Sequence, residues 1–150
     1  MPDQSSFPNA ALAQLDRLVG VWRTEIVMLD TDGSAGARFH ATDTYRWMPG
    51  RHFLLHDVDA LMDGQAIKSL EIIGLDPSTT AYQSRNYDNA GTISDYTASL
   101  IGDAWSIDGQ TERFRGQLSD SVLAGRWERL EAGAWLAWMN VTLTRTNSAA

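Results

Sequence analysis

Short runs rich in aromatic, β-branched and threonine residues recur along the whole chain, and turn signals such as Asp32-Gly33 and Asp63-Gly64 separate them. Runs of about 6 to 12 residues between such turns are typical of hairpins in an all-β barrel or sandwich. The pattern predicts ten strands, near 19–29, 37–48, 52–61, 65–74, 80–87, 93–100, 103–107, 111–118, 121–130 and 134–146. Because the connections are short, they favour an up-and-down barrel over an open Greek-key sandwich, which the strand count alone does not exclude.

One segment near the N-terminus has helical rather than strand periodicity. Leu12, Leu15 and Leu18 recur at intervals of three, and Asn9 precedes them as an N-cap. We therefore predict a helix over residues 8–17. A helix of about ten residues is marginal on its own, so it must pack against the strands. In a barrel, the natural place for it is across one open end.

The first and last predicted strands carry residues that suggest how a barrel would close. Gly20-Val21-Trp22 opens the first strand, and Arg145 ends the last. This arrangement resembles the closure of lipocalin-like, or calycin, barrels. We predict that Gly20, Trp22 and Arg145 form a structural closure in which the Arg145 cation packs on the Trp22 ring.

The resemblance extends over about residues 12–146. It is carried by residues 18–22 (LVGVW), 45–50 (YRWMPG), 71–76 (EIIGLD), 87–91 (YDNAG) and 125–128 (GRWE), together with Trp135 and Thr144-Arg145. These runs are similar to a large bacterial family of lipocalin-like proteins of unknown function with calycin or nitrobindin-like barrels. The resemblance implies a ten-stranded antiparallel up-and-down barrel with an internal cavity and no established reaction.

Two departures limit what can be transferred from these relatives. Nitrobindin-type haem proteins have further glycines after the first-strand Gly-x-Trp and a late axial histidine. Here residues 23–25 read RTE, and no histidine follows His56. Haem binding of that kind is not expected. The resembling proteins also often have histidine and tyrosine where Arg85 and Asn86 stand, so a different pocket chemistry is expected.

Length and composition restrict the broad class of protein. The 150 residues fit one domain, 1–150, with loose tails at 1–7 and 147–150. Cysteine is absent, which excludes disulfides and thiolate ligands. The net charge of -7 disfavours nucleic-acid binding. No leader and no membrane span is recognisable, so we expect a soluble, cytoplasmic protein without membrane contact. No cofactor or metal site is predicted.

Side-chain alternation selects two polar residues on faces that are otherwise partly apolar. His56 shares its face with His52, Leu54 and Val58, and Glu71 shares its face with Ile67, Ser69 and Ile73. His52 and His56 stand about 13 Å apart along a strand, too far to share a metal ion. His56 is either a hydrogen-bonded core residue or a polar anchor or general base. Glu71 is either one half of a buried ion pair or a functional carboxylate with a raised pKa.

Aromatic and arginine residues complete the candidate site. Arg85 shares a face with Tyr87, and it could point inward to a ligand carboxylate or outward to Asp88 or Asp95. The chain contains six tryptophans, most of which would pack in the core, and we select Trp47 and Trp127 as ligand-facing. The full candidate ligand-binding set is Tyr45, Trp47, His56, Glu71, Arg85, Tyr87, Tyr96 and Trp127.

No catalytic fingerprint is present, so three functions remain open. The first is binding of a small hydrophobic or aromatic molecule, with a carboxylate if Arg85 faces inward. The second is a cofactor-independent isomerase, cyclase or hydrolase with Glu71 or His56 as general base. The third is a ligand-free structural or oligomerisation module, which a surface patch with Leu136 and Trp138 would support. A homodimer is compatible with all three.

Overall fold

Ten antiparallel strands form a closed barrel in which each strand pairs with the next and the first pairs with the last. The computed structural model describes residues 7–78 and 81–146. The strands are β1 (Gly20–Leu29), β2 (Ala35–Trp47), β3 (Phe53–Met62), β4 (Gln65–Leu75), β5 (Tyr82–Asp88), β6 (Ile93–Ile101), β7 (Ala104–Asp108), β8 (Glu112–Leu118), β9 (Val122–Glu131) and β10 (Ala134–Arg145). The predicted all-β, up-and-down, ten-stranded barrel is confirmed, with strand ends within about two residues of those expected from the turn signals.

The predicted N-terminal helix is present but shorter. It is α1 (Ala10–Gln14), followed by a 3₁₀ turn over Leu15–Leu18. Asn9 is the N-cap, since its side-chain oxygen accepts a hydrogen bond from the Leu12 backbone N–H at 2.8 Å. The tighter 3₁₀ turn changes the helical spacing, yet Leu12, Leu15 and Leu18 are all buried. This segment, residues 10–18, is therefore a short compact turn of helix rather than a long amphipathic helix, and we call it the plug.

The plug lies across one end of the barrel. The Tyr82 hydroxyl, at the start of β5, donates to the Ala11 carbonyl at 2.6 Å. Trp22, near the start of β1, donates its indole N–H to the Leu18 carbonyl at 2.9 Å. The plug leucines belong to the same hydrophobic core cluster as the fully buried side chains Leu54, Ile73, Trp105 and Leu118. This end of the barrel is packed, which leaves the interior towards the opposite end for a site.

Arg145 and Trp22 are paired across the β1–β10 seam. The Arg145 guanidinium carbon lies 4.1 Å from the centre of the Trp22 ring. Its nitrogens donate to the carbonyls of Val19 and Arg17, the latter at 2.7 Å, and to Asp120 at 2.9 Å. Gly20 has φ +138°, and a Cβ there would stand 2.5 Å from Arg145 Nη1. Glycine is therefore needed beside the arginine.

The two chain ends were predicted to be loose at 1–7 and 147–150. Residues 1–6 and 147–150 lie outside the described part of the chain. Phe7 is described, and its ring meets Trp47 edge-on with 5.5 Å between ring centres. Within residues 7–78 and 81–146, no helix has both the length and the apolar character needed to cross a membrane.

Candidate functional site

The interior of the barrel contains a cavity of about 260 Å³. Five aromatic side chains line it, from β2, β6, β7, β8 and β9, namely Tyr45, Tyr96, Trp105, Phe114 and Trp127. Aliphatic residues form much of the remaining wall, including Ile26, Val58, Ile107, Met139 and Val141. The polar lining residues are Thr24, Asp43, His56, Ser69, Glu71, Asn86 and Glu112. Cavities with apolar walls and a few convergent polar groups are typical of small-molecule sites.

The centre of the polar wall is a histidine held between two carboxylates. Neighbouring strands β2, β3 and β4 supply Asp43, His56 and Glu71, and His56 is directly opposite Glu71 in the sheet register. His56 Nε2 lies 2.6 Å from Asp43 Oδ2, and Nδ1 lies 2.8 Å from Glu71 Oε1. The Thr24 hydroxyl donates to the other Asp43 oxygen at 2.5 Å. All three ionisable side chains are about nine-tenths buried.

The partners of His56 determine its protonation. An ionised carboxylate only accepts hydrogen bonds, so both ring nitrogens must donate and the ring is an imidazolium. Burial by itself would lower the pKa of His56, but the hydrogen bonds that it donates to Asp43 and Glu71 and their negative charges outweigh burial and raise the pKa to about 9. The histidine is therefore charged at neutral pH, and neither nitrogen is free to coordinate a metal or to accept a proton.

Tyr45 covers one face of that imidazolium. The two rings are stacked, with 3.9 Å between centres and 8° between planes. A cation against an aromatic face is attracted by the ring quadrupole, which further favours the charged histidine. Burial raises the pKa of the Tyr45 hydroxyl well above its usual value, and the charges of Asp43 and Glu71 add to this effect. Tyr45 is therefore a neutral phenol in the wall.

A second polar position lies on the wall formed by β6 and β8. The Tyr96 hydroxyl and Glu112 Oε2 are 3.5 Å apart, a long hydrogen bond. Burial raises the pKa of Tyr96, and the negative charge of Glu112 raises it further. The Trp127 ring lies next to Tyr96, 6.1 Å between centres, and next to Phe114, 5.4 Å between centres. This region combines a carboxylate with aromatic faces.

Two glycines make room for the aromatic wall. A Cβ at Gly116 would stand 2.6 Å from the Phe114 ring, and a Cβ at Gly125 would stand 2.3 Å from it. The two glycines are paired across β8 and β9. Their missing side chains let the Phe114 ring lie against the sheet rather than across the cavity.

Five of the eight predicted binding residues line the cavity, and they are Tyr45, His56, Glu71, Tyr96 and Trp127. His56 and Glu71, the two residues considered as a general base, lie on the same side of the barrel wall, with 2.8 Å between Nδ1 and Oε1.

Three predicted residues do not reach the cavity. Arg85 lies on the outer surface and pairs with Asp95 at 2.7 Å, and its neighbour on that face, Tyr87, is also exposed. Trp47 is at an inward-facing position of β2, but it lies at the end of the barrel that the plug closes. There its indole N–H donates to Asp16 at 2.9 Å. The expectation that these three bind a ligand inside the barrel is corrected.

Sequence reasoning missed several polar residues of the wall. Asp43 has the same parity as Tyr45, which was selected, so alternation along β2 could have identified it. Asn86 is the inward neighbour of Arg85, and Glu112 begins β8 two residues before the inward Phe114. For Asn86 and Glu112, no sequence signal distinguishes these inward side chains from the many exposed polar ones.

Known proteins resemble this chain mainly in fold. A family model described as "Protein of unknown function (DUF1579)" matches residues 8–111. The search of curated proteins gave no match. Among solved structures, Rv2717c from M. tuberculosis is similar with a TM-score of 0.67 and 13% identity, over 93% of this chain and 99% of the other. The S-type phycobiliprotein lyase CPES from Guillardia theta is similar with a TM-score of 0.54 and 9% identity, over 99% of both chains.

Proposed function

Since the chain belongs to DUF1579, a family of proteins of unknown function, we propose its function from the cavity itself: the barrel binds one small, mainly apolar or aromatic molecule in its interior. The observation that carries the proposal is the interior cavity of about 260 Å³ with five aromatic side chains in its wall. We also propose that the barrel is of the calycin type, as the closure by Arg145 over Trp22 suggests.

The buried charges support a function rather than a purely structural role. Bringing Asp43, His56 and Glu71 out of water has a desolvation cost that well-packed apolar side chains would not have. Perturbed ionisable groups in a cavity are candidates for functional sites. On the same strands, Leu54 and Ile73 are fully buried apolar side chains, so burial in this barrel does not by itself require charges.

An inward Arg85 would have bound a carboxylate of the ligand, but Arg85 lies on the outer surface. No arginine or lysine is among the described residues that line the cavity. His56 is the only cation among the described lining residues, and both of its nitrogens are already engaged by Asp43 and Glu71. We therefore propose a ligand whose apolar body is its main recognised feature, without a carboxylate.

A binding screen tests the proposal, with intrinsic fluorescence as the readout because Trp105 and Trp127 line the cavity. The screen compares fatty acids, aromatic acids, aromatic alcohols, aromatic amines and porphyrins. For each hit, Ala41→Leu fills part of the cavity, and we expect it to weaken binding at least about tenfold. Ala124→Leu, on the exposed face of β9, is the matched control. A hit that Ala41→Leu does not weaken would contradict binding in the cavity.

A cofactor-independent enzyme is a second candidate, favoured by the contact between His56 and Glu71. The geometry changes the roles expected from sequence. His56 carries a proton on both nitrogens and could only donate one, whereas Glu71 retains one oxygen without a partner among the described residues and could accept one. NMR of each hit after incubation with the protein distinguishes an unchanged ligand from a converted one.

A further inference from the structure

The charges of the cavity wall define the class of ligand more narrowly than its apolar area does, and this inference rests on the proposed function. Three carboxylates, those of Asp43, Glu71 and Glu112, line the cavity. His56 is the only cation among the described lining residues, so it neutralises only one of them. An occupant with a positive charge would balance the wall, whereas an anion would be repelled by it.

Two of the carboxylates retain hydrogen-bonding capacity. Both oxygens of Asp43 are engaged, by Thr24 and by His56. Glu71 is more than nine-tenths buried, and within the described part of the chain only its Oε1 has a partner. Glu112 Oε2 has only the long contact to Tyr96 at 3.5 Å, and Oε1 has no partner among the described residues. Glu71 and Glu112 can therefore accept hydrogen bonds from an occupant.

Glu71 and Glu112 act on a common region of the cavity. Glu71, Tyr96 and Glu112 all line this cavity, and the Tyr96 hydroxyl lies 3.5 Å from Glu112 Oε2. The Trp127 and Phe114 rings adjoin Tyr96 on the same side. Aromatic faces attract cations through their quadrupole, and carboxylates do so through their charge. Carboxylates interleaved with aromatic rings are the chemistry that recognises organic cations.

We propose that the cavity binds an organic cation, an amine or quaternary ammonium carried on an apolar or aromatic body. The nitrogen lies between Glu71 and Glu112 beside Tyr96, and the body lies against Phe114, Trp127 and the aliphatic wall. The imidazolium of His56 stays bound to Asp43 and Glu71 and holds Glu71 in place. A primary or secondary amine donates hydrogen bonds to the two glutamates, whereas a quaternary ammonium relies on the charge and the ring faces.

The test compares three small probes that differ in charge and share a phenyl ring on a short chain, namely 2-phenylethylamine, 2-phenylethanol and 3-phenylpropionate. Affinities are measured by isothermal titration calorimetry at pH 7 and low salt. We expect the amine to bind at least about tenfold more tightly than the alcohol, and the alcohol more tightly than the acid.

Matched glutamine variants locate the charge that makes the difference. Glu112→Gln removes one wall charge and should reduce the preference for amine over alcohol about fivefold or more, because the charge attracts the ammonium and not the neutral alcohol. Glu25→Gln, on the exposed outer face of β1, removes the same charge from the surface and should leave the preference unchanged. Glu71 is unchanged in both variants, so its hydrogen bond with His56 persists.

The outcomes separate this inference from the proposed function. If the alcohol or the acid binds in the cavity as tightly as the amine, the proposed preference for an organic cation is contradicted. The proposed function, binding of a small molecule in the cavity, is then still supported. If Glu112→Gln kept the full preference for amine over alcohol, the inference would also be overturned, because the Glu112 charge would then make no contribution to binding of the ligand nitrogen. If none of the three probes binds and the broader screen also gives no hit, the proposed function itself is contradicted.

Discussion

His56 Nδ1 lies 2.8 Å from Glu71 Oε1, and the opposite nitrogen of the same ring lies 2.6 Å from Asp43 Oδ2. The ring is therefore a buried cation between two carboxylates. His56→Gln removes the positive charge and leaves both carboxylates buried without it, so we expect a loss of about 3–5 kcal/mol in the free energy of unfolding. Urea denaturation measures it. His52→Gln, at an exposed histidine, should stay within about 0.5 kcal/mol of the parent. Equal small losses in both variants would contradict a charged His56.

The same histidine should make stability depend on pH. The folded state holds the proton up to a pKa of about 9, whereas the unfolded chain releases it near the ordinary histidine pKa of 6.5. The stabilisation is complete below the unfolded pKa and is lost as the pH rises towards 9. Between these values we expect the free energy of unfolding to fall by up to about 1.4 kcal/mol per pH unit.

Denaturation midpoints at half-unit steps from pH 6 to 10 measure this slope. In His56→Gln the slope over that window should be much smaller, because the group that loses the proton is absent. If the parent protein were equally stable at pH 6.5 and pH 9, His56 would have the same pKa in the folded and the unfolded state. That result would contradict the prediction.

The barrel seam gives a prediction about stability alone. Arg145 lies on the Trp22 ring and donates to the carbonyls of Arg17 and Asp120. Arg145→Met keeps an apolar contact with the ring but leaves those carbonyls without their donor, so we expect a loss of about 2–4 kcal/mol. Arg126→Met is the matched control, since Arg126 is exposed and bonds only to Asn140 among the described residues. Equal effects of the two changes on thermal unfolding would contradict a specific role at the seam.

The orientation of β5 can be tested by changing charge on its two faces. Asn86 lines the cavity opposite Glu71 in the sheet register, whereas Arg85 is on the surface. Asn86→Arg places a cation in the wall and should weaken 2-phenylethylamine binding at least about tenfold. Arg85→Gln removes a cation that water and salt already screen, so affinity should change less than about threefold. A larger effect from Arg85→Gln would place the ligand outside the barrel.

The architecture was predictable because it depends on features that are local in sequence. Turn signals such as Asp63-Gly64 give the hairpins, and the leucines after Asn9 give the plug. His56 and Glu71 were identified because each has apolar neighbours of the same parity, Leu54 and Val58 for the former and Ile73 for the latter. Alternation is informative where one face of a strand is clearly apolar.

The errors arose where that contrast is missing or where distant segments meet. Strand β5 has polar residues on both faces, so hydrophobicity did not tell whether Arg85 or Asn86 points inward. Trp47 has inward parity, yet the plug occupies that end of the barrel and its Asp16 accepts the indole N–H. Pairing of Asp43 with His56 requires the register of β2 with β3, which the sequence does not specify.

A crystal structure of the protein soaked with 2-phenylethylamine would show whether the cavity holds an organic cation. We expect density inside the barrel, with the phenyl ring against Trp127 and the ammonium within hydrogen-bonding distance of Glu71 or Glu112. An interior without density from the compound, at a concentration that saturates the protein in calorimetry, would contradict this expectation and would place the binding site elsewhere on the molecule.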